Sequence, residues 1–152
     1  MNAMQTGEFV AAFREAFGPV PELPLLFRYT DEPLRPAAKA GGCFFKALAE
    51  ARDGRPVGLN ASNIGCGGGK FYTGFSPMPE FVPQFVSLKE RYKQTPEMVL
   101  DFIAALDLRP APKAWLEFMR VDAAGTFDGA EGVLFFATPD VLAGLVTWAG
   151  FD

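Results

Sequence analysis

The chain has 152 residues, 49% hydrophobic and 21% charged, with 16 phenylalanines, no histidine and a formal net charge of −4. This length and apolar content exclude a disordered chain and predict one domain, residues 1–152, around a single core. The dispersed basic residues offer no footprint for a phosphate backbone, so no nucleic-acid partner is expected. The longest apolar runs, such as Gly132 to Ala137, fall far short of the ~20 residues needed to span a bilayer. No membrane partner is expected either. The first residues lack the basic and apolar regions of a signal peptide, and two cysteines are too few to staple a domain of this size. The chain reads as cytoplasmic and reduced.

Thr6 to Phe17 places Phe9, Val10, Phe13 and Phe17 on one helical face, with Thr6 set to cap the helix and Gly18-Pro19 to stop it. LPLLFRYT, Leu23 to Thr30, is short and bounded by prolines, which predicts a strand near a sheet edge. Arg35 to Gly42 reads as loop. Cys43 to Arg52 recurs in apolar residues at helical spacing, with Cys43 in its first turn, and ends at the Asp53-Gly54 turn. Pro56 to Leu59 predicts a short strand that feeds the glycine-rich loop NASNIGCGGGKFYTGF, Asn60 to Phe75. Prolines at 77, 79 and 83 make the next stretch irregular, with one helical turn around Phe81 to Val86. Thr95-Pro96-Glu97 and Thr138-Pro139-Asp140 each predict a helix start, with a capping hydroxyl, proline at the first position and a carboxylate near the positive helix end. Between them, Ala114 to Val121 and Gly132 to Ala137 read as strands. The fold class is α+β or mixed α/β, a single small sheet of about four strands covered by helices.

Without histidine, any catalysis has to rest on Cys, Asp, Glu, Lys, Tyr or a cofactor, and two thiols alone do not complete a structural zinc site. The glycine-rich loop fails the phosphate-cradle pattern, because Ile64 stands where its first glycine belongs and Phe71 where a hydroxyl belongs. It fails the dinucleotide pattern because Lys70 occupies the third glycine position. Two readings remain. Glycines 67 and 68 with their neighbours adopt positive backbone torsions and aim their amides at an anion, with Lys70 adding charge, or they permit close packing. Cys66 in this loop and Cys43 at a helix start gain thiolate character from amide donors, and Lys46 and Lys70 lie near them in sequence. Ser62, Asn63 and Tyr72 add polar groups that orient a ligand or form turns, and Phe44, Phe45, Phe71, Phe75 and Phe81 wall a pocket or fill the core. The candidate ligand-binding set is Cys43, Lys46, Cys66, Gly67, Gly68, Lys70 and Tyr72.

CFFKALAEARDGRPVGLNASNIGCGGGKFYTGF resembles the uncharacterised family called domain of unknown function number 169, or ArCR, in which a cysteine-led helix precedes a cysteine-glycine-glycine loop. The ending GVLFFATPDVLAGLVTWAGFD is similar to that family's strand, Pro-Asp step and leucine-rich helix. The resemblance implies that Cys43, Cys66, Gly67 and Gly68 are motif positions, and it carries no established reaction. It also implies a further cysteine-containing segment after the leucine-rich helix, which makes this chain a shortened member or a fragment and a homodimer a way to supply the missing cover.

The leading expectation is a binding domain in which the Cys66 loop and the Cys43 helix start form one site for a small anionic or thiol-reactive ligand, or for a metal shared between subunits. The alternatives are an enzyme using Cys66 as nucleophile or redox centre and a structural module that self-associates through phenylalanine-rich surface.

Overall fold

The computed structural model describes residues 5–37 and 43–150. Four strands, β1 (Leu25–Thr30), β2 (Val57–Leu59), β3 (Trp115–Arg120) and β4 (Gly132–Leu134), form one sheet in the order β2-β3-β1-β4. Every pairing among these four strands is antiparallel, which makes the fold α+β. β1 therefore lies one strand in from the edge, between β3 and β4, and β4 pairs with it only from Leu25 to Phe27, in keeping with the position near an edge that its flanking prolines predict. Pro21, Pro24 and Pro33 fall just outside the paired run, so none of them removes a ladder donor. The open edge of β2 is covered by Arg35–Ala37: Gly58 N–H donates to the Arg35 carbonyl at 2.8 Å and Ala37 N–H to the Gly58 carbonyl at 2.9 Å. The rest of the loop expected through Gly42 lies outside the described residues.

The period-two alternation of the strands sorts side chains onto two faces. Leu25, Val57, Leu59, Leu116 and Phe118 are buried on one face and receive Leu48 and Ala51 from α2 (Leu48–Arg52). The helix expected over Cys43 to Arg52 is in two pieces, a 3₁₀ turn at Phe44–Lys46 with Cys43 at its N-cap, then α2. The i→i+3 bonds of that tighter turn, such as Lys46 N–H to the Cys43 carbonyl at 3.0 Å, leave Phe44 edge-on to Phe118, ring centroids 5.8 Å apart.

A second cluster joins α1 (Thr6–Phe17) and α7 (Pro139–Ala149) through Phe13, Leu23, Val121 and Val141. α6 (Val121–Ala124) follows β3 directly and carries Val121 into this cluster. α1 starts differently from expectation. Gln5 is the N-cap, its N–H donating to the Glu8 carboxylate at 3.3 Å, while Thr6 is buried within the first turn. α7 begins where predicted, yet the Thr138 hydroxyl makes no capping bond. β4 stops at Leu134, opposite the first paired residue of β1, and Phe135 and Phe136 go to the second and first clusters.

The side chain of Glu117 is buried in mid-strand. Its Oε2 accepts from Arg28 Nε and Nη2 at 3.1 and 3.0 Å, and its Oε1 accepts the Leu34 N–H at 2.6 Å. Both its oxygens are thus held, one by Arg28 of β1 and the other by Leu34 just before the covering segment, as a buried carboxylate requires.

Between Phe75 and Pro110 the chain makes a helical arm. A short α4 (Val82–Gln84) runs into a π-helical stretch, Phe85–Lys89, which packs with α5 (Pro96–Ala105). Thr95 caps α5 as predicted, its hydroxyl accepting the Met98 N–H at 3.3 Å. The arm is tied at its base where Ala111 N–H donates to the Gly74 carbonyl at 3.0 Å. From Val82 to Ala105 just Pro83, Ser87 and Val99 are buried.

Candidate functional site

The site is built outward from β2. At the end of that strand Asn63 is buried, and its Oδ1 accepts the Asn60 N–H at 2.7 Å. Its Nδ2 donates to the Gly58 and Ala37 carbonyls at 3.0 and 3.2 Å. Ser62 donates through both N–H and Oγ to Asn60 Oδ1, at 2.9 and 2.7 Å. These two residues, considered for ligand contacts, are thus committed to the turn. The turn drives Ile64 into the core, 3% exposed, and releases the chain at Cys66.

Asn60 to Phe75 is not a loop throughout. Gly67–Tyr72 is a helix, α3, with Cys66 as its N-cap, and Cys66 Sγ accepts the Gly69 N–H at 3.3 Å. None of Gly67, Gly68 and Gly69 has a positive φ, which corrects the anion-nest expectation. Their amides point along a helix axis because the thiol captures the first turn. Close approach accounts for Gly69: a Cβ there would stand 2.8 Å from Cys66 Sγ and 2.9 Å from Phe44 Cβ. This glycine lets the Cys43–Phe44 segment rest on α3. The helix ends in a left-handed residue, Gly74 (φ 77°), with Phe75 N–H to the Lys70 carbonyl at 2.8 Å and Gly74 N–H to the Phe71 carbonyl at 3.0 Å. Tyr29 anchors that end to the sheet, its hydroxyl donating to the Thr73 carbonyl at 2.8 Å, and burial, with Glu131 nearby, holds its phenol above the usual range.

The contact at Gly69 leaves a cavity of about 370 Å³ lined by Cys43, Phe44, Phe45, Cys66, Gly69, Tyr72 and Thr73. Its walls are apolar. Cys43 is exposed and Cys66 half-buried, and both thiols are free. The Thr73 hydroxyl donates to the Gly69 carbonyl at 2.6 Å, so its proton is already engaged in the helix.

The match to known proteins falls on these same elements. The family model of the uncharacterised ArCR group, domain of unknown function 169, matches residues 23–152. The chain belongs to this family. No curated protein and no solved structure matches the chain. The ArCR match includes every strand, both cysteine segments and the arm, and leaves α1 outside it.

Of the positions expected from the resemblance, Cys43 and Cys66 line the cavity and Gly67 and Gly68 do not. Tyr72 joins the two cysteines there, whereas Lys46 and Lys70 are not among the lining residues. Gly69 and Thr73 were missed as lining residues by sequence reasoning. Gly69 was hidden among three adjacent glycines, and Thr73 carries no signal beyond lying one helical turn after it. Among the described residues no three His, Cys, Asp or Glu side chains gather to hold a metal.

Proposed function

We propose that the ArCR cavity between Cys43 and Cys66 binds a compact ligand with an apolar body and a soft, thiol-reactive group. The observation that carries this reading is that two free thiols, from segments on either side of β2, line one apolar-walled cavity of about 370 Å³. That volume falls at the lower end of small-molecule sites, roughly 300–1,000 Å³, whose walls are typically apolar with few polar groups. An anionic ligand is disfavoured, since among the described residues no lysine lines the cavity and Cys66 Sγ already takes the Gly69 N–H. Phe44, Phe45 and Tyr72 would hold the apolar body by area burial, while the thiols would select for electrophilic or thiophilic groups.

The test is the kinetics of N-phenylmaleimide against N-methylmaleimide, followed by intact mass and peptide mapping. The thiol sulfur adds to the maleimide double bond and the neighbouring ring carbon takes the proton. Binding of the phenyl ring before addition predicts a rate at Cys66 that saturates with N-phenylmaleimide and stays linear with N-methylmaleimide. Tyr72→Ala is expected to weaken the saturation. A phenyl-to-methyl rate ratio equal to that of free glutathione, with no saturation, would overturn the proposal.

A further inference from the structure

Among the described residues, nothing covers a long apolar side of the arm. Phe81, Phe85, Leu88 and Tyr92 follow at helical intervals and are 63, 45, 61 and 76% exposed. Met98 and Phe102 on α5, with Leu106 at its C-cap, form a second stripe at 43, 47 and 41% exposed. Leu88, Tyr92 and Met98 line one groove of about 740 Å³, so the stripes are continuous across it. The Phe81 and Phe85 rings stack edge-on with centroids 6.1 Å apart. A Phe, Tyr or Trp side chain buries roughly 150–250 Å², so these seven residues, each 41–76% exposed, together present on the order of 700 Å². An ordinary monomer shows apolar patches of about 300–600 Å² at most, whereas one side of a standard protein interface buries about 800 Å². The arm alone supplies nearly that area.

The charges beside the stripes are complementary to one another. Lys89, Arg91 and Lys93, interrupted by Glu90, lead into α5, whose own charged residues are Glu97 and Asp101, both acidic, and Lys93 Nζ lies 5.0 Å from the Phe102 ring centroid. Among the described residues none of these charged side chains takes part in an ion pair. A two-fold axis matches a surface to itself, so a chain carrying both halves of the charge pattern is suited to pair with its own copy.

We infer that the arm docks on the arm of a second copy of this chain. The apolar stripes meet across a two-fold axis, and the Lys89–Lys93 segment of each copy faces Glu97 and Asp101 of the other.

The test is sedimentation equilibrium of the full chain at low salt, up to about 100 µM, a range that detects dissociation constants of ordinary weak dimers. The expected mass is twice the 16.5 kDa of the chain. Leu88→Glu with Tyr92→Glu is expected to give a monomer with an unchanged circular dichroism spectrum. Arg91→Glu with Lys93→Glu, and separately Glu97→Lys with Asp101→Lys, should each weaken the dimer by about tenfold. An equimolar mixture of the two charge variants should restore it as a heterodimer. A monomeric wild-type chain would overturn the proposal, whatever other protein it binds. So would a dimer that persists in the Leu88/Tyr92 variant, or charge variants that do not recover on mixing.

Discussion

Alanine at Gly69 is expected to destabilise the protein, while alanine at Gly68, one residue earlier in the same helix, is expected to stabilise it. Both positions are helical, so both substitutions gain the preference of alanine over glycine, about 0.5–1 kcal/mol. At Gly68 nothing lies within 4 Å of the added methyl, so the gain stands. At Gly69 the methyl would meet Cys66 Sγ at 2.8 Å, Phe44 Cβ at 2.9 Å and Ile64 Cγ2 at 3.1 Å. The sulfur can swing aside, but Phe44 is held by its edge contact with Phe118 and Ile64 is sealed in the core. Overpacking of this kind costs about 1–3 kcal/mol, so the two variants should differ by about 2 kcal/mol once the shared helix gain cancels. Equilibrium urea unfolding followed by tryptophan fluorescence measures the difference, with an unchanged m-value showing that the unfolded states are comparable. The Gly69→Ala variant should also label more slowly with N-phenylmaleimide, since its methyl intrudes between Phe44 and Cys66 in the cavity wall. Equal stabilities for the two variants would refute the packing of the Cys43 segment on α3.

Glu117→Ala leaves Arg28 and the Leu34 N–H without their acceptor and should cost about 3 kcal/mol, the low end for a broken buried pair because Arg28 retains some solvent contact; urea unfolding checks it. Thr95→Ala removes the capping bond to Met98 and should destabilise the arm by about 1 kcal/mol. The same change at Thr138, where no such bond exists, should cost much less, and amide exchange in α5 and α7 distinguishes the two. The Asp122 carboxyl is held below its ordinary value of 3.8 by the Arg120 hydrogen bond, and Glu22 below 4.5 by that of Arg52. Both lowered values mean stabilisation that is complete above the ordinary carboxylate range and lost as pH falls through the lowered folded-state values. Asp122→Asn should therefore flatten part of the acid side of a stability-versus-pH curve.

The elements legible in the sequence were those marked by local chemistry. Thr95-Pro96 and Thr138-Pro139 announced their helices because proline at the first turn has few other uses. The strands were readable from apolar runs, but their order was not, since nothing local tells LLFRYT that it will sit between two partners. Arg28 and Glu117 held that information. They are charges in mid-strand that pair across residues far apart in sequence, and charge in an apolar strand is the signal of a buried pair.

Of the two readings of the glycine run, close packing holds at Gly69, and the nest does not form because the three residues that permit positive φ adopt none. Helix α3 forms there because Cys66 caps it and Gly74 ends it, and the requirement for glycine is met at Gly69 by a neighbour that arrives from Phe44. Cys43 and Cys66 could be named from the sequence as candidates, and so could the condition that they share a site. What the sequence could not supply was the 3₁₀ turn that presents Cys43 over α3, or the absence of Lys46 and Lys70 from the cavity wall.

The most direct test of the central claim is intramolecular cross-linking of the dilute protein with para-phenylene bismaleimide, whose flat aromatic spacer suits an apolar cavity. A cavity shared by the two thiols predicts one reagent per chain, both thiols consumed, and a single linked peptide pair containing Cys43 and Cys66. Two independent adducts on each chain, with no Cys43-to-Cys66 link, would contradict it.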